Sequence, residues 1–182
     1  FPRKFYEFDA LNQIVHYSPY NGKIEKGYMF TDTGFWDTFR SLFPFLTLMY
    51  PEMDGHIMEG LANTYKESGW LPEWASPGHR RSMIGSNSAS VIIDAYLKGI
   101  KGYDINVLYE ALLKNTEGEG PINTVGRNGA KEYNTLGYVP MDIYGGSAAK
   151  TMEYAHADFC LHQLATALKK PQAEIDKFAK RC

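Results

Sequence analysis

A chain of 182 residues has the length of one domain, or of a piece of a larger one, and its net charge is -2. The absence of a basic face argues against a nucleic-acid partner, and no charge run or membrane-length apolar run favours a membrane partner. Hydrophobic residues make up 44% of the chain and charged residues 22%, which is typical of a folded globular core. The abrupt start at Phe1 and the stop at Cys182 suggest a fragment.

Residues 1–30 have the pattern of short β-strands. Charged and aromatic side chains alternate from Phe5 to Asp9, and a second strand-like run, Ile14–Tyr17, follows a polar break. The spacing of the two runs predicts a β-hairpin. The next five residues, Ser18–Gly22, combine serine, proline, asparagine and glycine and predict a turn.

Helical periodicity begins after this strand-rich entry. The side chains of Thr31–Thr33 are predicted N-caps, and apolar residues then recur at helical spacing as far as Met49. Pro44 lies inside this run, so the helix is expected to kink or divide there. Pro51 is predicted to start the following helix and Gly69 to end it.

Four further helices are predicted after residue 81. The segment Ser88–Gly99 is apolar nearly all round, which is typical of a buried helix. Asp104 is predicted to cap the next helix, Ser147 the one after it, and Pro171 to open a short last one. Residues 115–146 are rich in glycine, asparagine and threonine and are expected to form a long loop, either functional or a surface excursion. Successive helix pairs of this kind are typical of bundles, solenoids and α/α toroids, and periodicity does not choose among them.

The segment 69–81, GWLPEWASPGHRR, separates two helical regions and cannot itself be a helix. Pro72 and Pro77 each favour extended geometry at the preceding residue. A rigid loop that carries two tryptophans, a glutamate, a histidine and two arginines is a plausible binding or catalytic site. The alternative interpretation is a helix–helix connection whose tryptophans fill the core.

Glu73 is the strongest candidate for acid–base chemistry in this segment. A carboxyl group beside the indole of Trp74 in a dry pocket has a raised pKa, which a general acid requires at neutral pH. The alternative is a solvated loop residue paired with Arg80 or Arg81. His79 could bind a ligand, transfer a proton or cap the next helix.

A second candidate pair lies in the first turn of the predicted helix after residue 33. Asp37 could accept hydrogen bonds from sugar hydroxyls while Trp36 provides a stacking surface; the alternative is a capping aspartate with Arg40 as its i+3 partner. Asp94, within an apolar helix, is expected to form a structural ion pair. No cluster of cysteine and histidine has metal-ligand spacing, so no metal ligand is assigned in this chain.

Several specific motifs extend over nearly the whole chain. Among them are YMFTDTGFWDTFR at 28–40, GWLP at 69–72, IDAYLKGI at 93–100, LGYVP at 136–140 and TMEYA at 151–155. These motifs resemble the catalytic domain of glycoside hydrolase family 92, the calcium-dependent exo-acting α-mannosidases. The resemblance implies a mainly α fold: part of an (α/α)6 toroid preceded by a short β-hairpin segment. It also implies that residues 1–182 form a single partial domain, the N-terminal portion of the toroid, with 1–30 as its entry.

The same resemblance implies a function and its site residues. The parent protein is expected to be a secreted or periplasmic enzyme that hydrolyses terminal α-linked mannose from glycans with inversion. Within this expected enzyme, Glu73 is the best available candidate for the catalytic acid, and Trp36, Asp37, Trp74 and His79 are the candidate substrate-binding residues. The catalytic base and most calcium ligands lie in later glycine-rich motifs of the family, so the chain needs the rest of its polypeptide and is expected to be inactive alone.

One position departs from the family pattern. Many members carry the general acid directly after the tryptophan of a Pro-x-Trp motif, and this chain has Ala75 there. Either Glu73 acts from the adjacent position, or another residue does, or the substrate has a leaving group that needs little protonation. A mannose-1-phospho linkage, facing His79, Arg80 and Arg81, is an example of the last case. Two non-enzymatic alternatives are a mannoside-binding or scaffold protein on the same toroid, and a helical interaction module.

Overall fold

The computed structural model describes all residues from Phe1 to Cys182. About half of them are helical, in eight helices, and seven short strands form three small antiparallel sheets. The mainly α class predicted from the periodicity is therefore confirmed. No helix is long and apolar enough to cross a bilayer.

The strands lie mostly in the first 34 residues. The pairs and sheets are β1 (Arg3–Lys4) with β5 (Phe30–Thr31); β2 (Glu7–Phe8), β3 (Ile14–Tyr17) and β4 (Ile24–Lys26) in one sheet; and β6 (Thr33–Gly34) with β7 (Trp74–Ala75). The predicted hairpin is confirmed, because β2 pairs antiparallel with β3 with Glu7 opposite Val15. The turn at Ser18–Gly22 then leads into β4.

Eight helices follow along the chain. Their bounds are α1 (Phe35–Thr38), α2 (Leu42–Met49), α3 (Pro51–Ser68), α4 (Ser88–Leu97), α5 (Ile105–Glu117), α6 (Ala130–Leu136), α7 (Ser147–Ala167) and α8 (Gln172–Arg181). Pro51 opens α3, and Gly69 ends it with a left-handed φ of 77°. Asp104 caps α5 by accepting a hydrogen bond from the Asn106 backbone N–H at 2.9 Å. These signals were local, and the structure confirms each of them.

Three predictions near helix ends are wrong. Thr31 and Thr33 lie in strands, not caps, because their backbones pair with β1 and β7; α1 begins after Gly34 with no side-chain cap. Ser147 is the first residue of α7, and Gly146 occupies its cap position with a φ of 67°. Residues 115–146 are not one loop, because α5 continues to Glu117 and α6 forms inside the segment.

Pro44 does not kink a continuous helix. A turn at residues 39–41 separates α1 from α2, and Pro44 lies in the first turn of α2. A proline costs little there, because the first N–H groups of a helix have no intrahelical acceptor.

One apolar core of 24 buried residues joins the helices. Helix α4 is at its centre and packs against α2, α3, α5 and α7. Fully buried side chains from different helices meet there: Leu46, Met58, Ile92, Leu108, Leu164 and Phe178. Asp94, at the edge of α4, forms the predicted ion pair, with its Oδ2 2.7 Å from Lys98 Nζ.

Candidate functional site

A two-residue strand brings the two candidate segments together. In the β6–β7 pair, Gly34 lies opposite Trp74 and Thr33 opposite Ala75. The ladder continues on one side, where the Phe35 N–H donates to the Glu73 carbonyl at 3.1 Å. The turn that carries Trp36 and Asp37 therefore lies directly beside loop 69–81.

Gly34 is needed for this close approach. A Cβ atom at position 34 would lie 2.0 Å from Cε3 of Trp74, far inside the sum of the van der Waals radii. The half-buried indole of Trp74 thus packs on bare backbone. Trp74 fills space between the two segments, as expected if loop 69–81 is a helix–helix connection whose tryptophans fill the core.

Trp36 is held against α7 with part of its ring open. Its side chain is 38% exposed, and its indole N–H donates to Glu153 Oε1 at 3.0 Å. The Arg40 guanidinium lies 4.7 Å from the ring centroid and donates to the Trp36 carbonyl. Arg40 therefore contacts Trp36 and lies near Glu153, whereas Asp37 is exposed to solvent at the first turn of α1. An ordered, half-open indole beside a free carboxylate is chemically suited to stacking on a sugar ring and binding its hydroxyls.

Glu73 is buried and holds the start of α4. Only 1% of the residue is exposed; Oε2 accepts from the Asn87 backbone N–H at 2.8 Å and Oε1 from the Ser88 hydroxyl at 2.9 Å. A carboxyl group at this place satisfies N–H groups that have no intrahelical acceptor. The alternative of a solvated glutamate paired with an arginine of the loop is wrong.

Burial raises the pKa of Glu73 to about 8, although hydrogen bonds from Ser88 and Asn87 and the charge of Arg127 oppose the change. The predicted direction of the shift is correct, and a group with this pKa is mostly protonated at neutral pH. A general acid must also lie within hydrogen-bond reach of the leaving oxygen. In this structure both carboxyl oxygens of Glu73 face the start of α4, so its catalytic role stays a prediction.

His79 lies behind the loop, on the side of the hairpin. Its ring is 4.8 Å from the ring of Tyr20, and neither ring nitrogen has a hydrogen-bond partner within the protein. Burial lowers the pKa of His79 to about 4, so the ring is neutral at neutral pH. It does not cap α4, because Glu73 occupies that position. Trp36 contacts α7, whereas His79 contacts the hairpin. These two candidate residues are therefore held by different parts of the fold.

Arg127 is a site residue that sequence reasoning missed. It is completely buried, and its Nη2 donates to Asp158 Oδ1 at 2.7 Å. Its Nε lies 3.4 Å from the hydroxyl of Ser86, just before α4. The pair joins the loop 118–129 to α7 beside Glu73. No local signal in the sequence indicates the pair, because its two members are 31 residues apart.

A cavity of about 250 Å³ adjoins this region. It lies between residues 83–85, 123–126 and 145–150, with Tyr154 at its wall. Lys150 Nζ donates to Asn128 Oδ1 at 2.7 Å at its edge, and burial lowers the pKa of this amine. Gly85 also contacts Glu153, the partner of Trp36, so the cavity and the Trp36 surface are neighbours. The arrangement offers polar and apolar atoms together, as small polar ligands require.

The chain does not form a metal site by its own residues. No three side chains of histidine, cysteine, aspartate or glutamate converge on one point. Calcium takes six to eight oxygen ligands, several of them usually carboxylates. A calcium ion would therefore need ligands from elsewhere.

A helical domain with a tryptophan–carboxylate surface beside a polar cavity fits the class of glycoside hydrolase catalytic domains. Comparison with protein families agrees: the profile of the glycosyl hydrolase family 92 catalytic domain matches residues 1–182. The chain belongs to glycosyl hydrolase family 92.

Solved structures of the family resemble it closely. A family 92 inverting mannosidase from Bacteroides thetaiotaomicron superposes on 100% of the chain with a TM-score of 0.96 and 47% identity. A family 92 α-mannosidase from the same organism, solved with mannoimidazole, covers 99% with a TM-score of 0.86 and 30% identity. A curated relative from Arthroderma benhamiae, an uncharacterized secreted glycosidase, is 36% identical over 134 residues, or 66% of the chain.

The chain spans only part of these relatives. It covers 25% and 23% of the two bacterial mannosidase chains and 17% of the fungal protein.

Proposed function

We propose that the complete protein is an inverting exo-α-mannosidase that removes terminal α-linked mannose from glycans. The observation that carries the proposal is the superposition of the whole chain on an inverting mannosidase at 47% identity and a TM-score of 0.96. The Trp36 and Asp37 surface is compatible with such a substrate, since an indole face suits a pyranose ring and a carboxylate suits its hydroxyls. The proposed partners are mannose-containing glycans.

We propose that residues 1–182 are one partial domain, the N-terminal portion of an (α/α)6 toroid, with 1–30 as a strand-rich entry. The order of the helices after the small sheets supports this architecture. Large apolar side chains such as Leu48 and Met152 are 78% and 73% exposed, which supports further packing against the rest of the polypeptide. A secreted or periplasmic location is proposed on the strength of the relative named a secreted glycosidase.

Within the site, Trp36, Asp37, Trp74 and His79 are proposed to contribute to substrate binding. Trp36 and Asp37 have the exposure that direct contact needs, whereas Trp74 and the neutral His79 support the loop from within. Glu73 is the proposed acid, supported by its raised pKa. That role requires its carboxyl to exchange its bonds to α4 for a bond to the leaving oxygen.

We propose that the catalytic base and most of the calcium ligands come from outside this chain. The base of an inverting glycosidase activates a water molecule, and its carboxyl group lies roughly 6.5–9.5 Å from that of the acid to leave room for this water. Calcium is proposed as the cofactor on family resemblance, but the residues of this chain do not form a calcium site by themselves. The chain alone is therefore expected to be inactive.

The test uses the complete protein on α-mannobiosides of each linkage, with and without a calcium chelator. We expect chelator-sensitive release of mannose, with the β-anomer appearing first in proton NMR spectra. Absence of mannose release from every linkage would refute the proposal. Initial release of the α-anomer would refute inversion.

A second candidate is hydrolysis of a mannosyl-phosphate linkage. Ala75 occupies the position of the usual acid, and the side chains of Arg80 and Arg81 on the same loop are exposed. A phosphate leaving group needs little protonation, and arginines bind it through charge-assisted hydrogen bonds. A higher kcat/KM on an α-mannose-1-phosphodiester than on any mannobioside would favour this candidate. Mannoside binding without turnover of either substrate would favour a non-catalytic binding or scaffold protein.

A further inference from the structure

A buried histidine joins the hairpin to the end of α3. The side chain of His16 in β3 has no exposed surface, and that of Glu67 in α3 is 8% exposed. His16 Nδ1 lies 2.8 Å from the Gly27 carbonyl oxygen, and Nε2 lies 2.8 Å from Glu67 Oε1. No protein donor reaches the other carboxyl oxygen of Glu67. The imidazole is therefore the main partner of this carboxylate.

The partners of His16 determine its protonation. A backbone carbonyl and an ionised carboxylate can accept hydrogen bonds but cannot donate them. Both ring nitrogens must then donate, so the ring is an imidazolium when the two bonds exist together. A neutral ring has one N–H, and one of the two bonds is lost unless Glu67 itself carries the proton. With both bonds formed, the His16–Glu67 pair carries one proton more than a neutral histidine beside an ionised glutamate.

The surroundings favour this charge. The charges that act on His16 are those of Glu67 in α3 and Glu25 in β4, and Tyr20 in the turn lies near Glu67. Four other titratable residues line the same surface pocket as His16: Lys4, Tyr6, Glu7 and Tyr17. Burial lowers the pKa of His16, but the hydrogen bonds to Glu67 and Gly27 and the charges of Glu67 and Glu25 outweigh it, and the pKa is raised. The acidic neighbours therefore stabilise the protonated ring.

The hairpin that His16 anchors also supports loop 69–81. We define the hairpin unit as residues 7–27, which contain β2, β3, β4 and the turn. Pro19 in this turn packs against the backbone of Gly78, 3.7 Å from the place of a Cβ atom there. The ring of Tyr20 lies 4.8 Å from the ring of His79. Movement of the hairpin unit away from α3 would remove both supports of the loop.

We propose that the His16–Glu67 pair is a pH-dependent anchor, which holds the hairpin unit against α3 and through Pro19 and Tyr20 keeps loop 69–81 in place. The direction of the dependence follows from linkage. Because the folded pKa of His16 lies above its ordinary value of about 6.5, the stabilisation is complete below that value. It is lost as the pH rises through the raised folded pKa. The anchor therefore weakens as the pH rises above the ordinary pKa of histidine.

The test is hydrogen–deuterium exchange with mass spectrometry on the complete polypeptide that contains this chain, without substrate. It is independent of the proposed hydrolysis. Exchange rates are corrected for the intrinsic effect of pH and compared at pH 6.5 and pH 9. In the wild-type protein we expect segments 13–27 and 69–81 to open more often at pH 9 than at pH 6.5, by up to about tenfold for each unit by which the pKa of His16 in the anchored state exceeds its pKa in the open state. Segments of α2, which has no titratable side chain, serve as the internal reference.

Two variants and a control complete the experiment. Glu67→Gln removes the charge that retains the proton, and its amide can donate to Nε2 of the neutral ring, so segment 13–27 should lose the pH dependence of its exchange. His16→Gln should behave in the same way. His162→Gln is the matched control, because His162 contacts only a backbone carbonyl, that of Ile175 at 3.3 Å, and should leave both segments unchanged.

Three results would overturn the proposal. The first is equal wild-type protection of segment 13–27 at both pH values, which requires no variant to fold. The second is a Glu67→Gln protein that keeps the wild-type pH dependence. The third is faster exchange of the hairpin unit with an unchanged loop 69–81, which would overturn the support of the loop.

Discussion

Replacement of Glu73 separates its two roles, because an acid and an anchor respond differently to glutamine and alanine. Glu73→Gln keeps the size of the side chain, an oxygen that can accept from the Asn87 N–H and an amide that can donate to the Ser88 hydroxyl. Glu73→Ala leaves both partners without an acceptor in a buried place. Each buried unpaired group costs about 1–3 kcal/mol, and the cavity adds to it. We expect the alanine variant to lose about 3–5 kcal/mol of stability and the glutamine variant about 1 kcal/mol or less near pH 5.

The pH dependence of stability makes this prediction sharper. The folded pKa of Glu73 is raised, so its stabilising effect is complete below the ordinary value of 4.5 and is lost as the pH rises towards about 8. At about 1.4 kcal/mol for each pH unit, the full change is on the order of 5 kcal/mol. Glutamine does not titrate, so the free energy of unfolding of Glu73→Gln should fall less between pH 5 and pH 8 than that of the wild type.

The assay is calorimetric unfolding of the complete protein at pH 5 and pH 8, together with kcat on the best mannoside. An acid role predicts a loss of about 10²–10⁴-fold in kcat for Glu73→Gln without a loss of stability near pH 5. A role as anchor alone predicts nearly unchanged kcat for glutamine and inactivation by alanine. Identical stability of wild type and Glu73→Gln at both pH values would refute the reasoning from burial.

Three other predictions concern the packing around the site. Gly34→Ala should displace the indole that packs on it and cost about 1–3 kcal/mol with a large loss of activity, whereas Gly145→Ala, where a Cβ meets nothing within 4 Å, should leave thermal unfolding unchanged. Asp158→Ala should leave the buried Arg127 charge unpaired and destabilise the protein by about 3–5 kcal/mol, measured by denaturant unfolding. Near-wild-type stability of this variant would contradict the assignment of the pair. Trp36→Phe should lose the hydrogen bond to α7 and raise KM more than it lowers kcat; an unchanged KM would argue against a substrate-binding ring.

Much of the fold could be predicted because its signals act between near neighbours. Proline at the first turn of α3, glycine at its end and aspartate before α5 each act within a few residues, and they mark the observed ends. The nearly all-round apolar character of α4 predicted its burial, and most of its side chains are in fact buried. Side-chain caps were predicted wrongly where tertiary pairing competed with them: the backbones of Thr31 and Thr33 pair with strands that come from other parts of the chain.

The two candidate segments could be selected from the sequence, but their contacts could not. The composition of loop 69–81 and the tryptophan–aspartate pair drew attention to two separate segments, and the β6–β7 ladder brings them together. The partners of Glu73 could not be predicted, because they are the start of a helix 14 residues further along. Family resemblance supplied the chemistry, but it could not show which way this carboxyl group faces.

Local chemistry in the chain thus determined where helices, turns and the apolar faces lie, since propensity, capping and periodicity need only nearby residues. Tertiary structure decided which charges are buried and with what partners. The pairs Arg127–Asp158 and His16–Glu67 join residues 31 and 51 positions apart, and each member alone resembles an ordinary surface residue. A buried charge is tolerated only when a partner compensates its lost hydration, and that partner is chosen by packing in three dimensions.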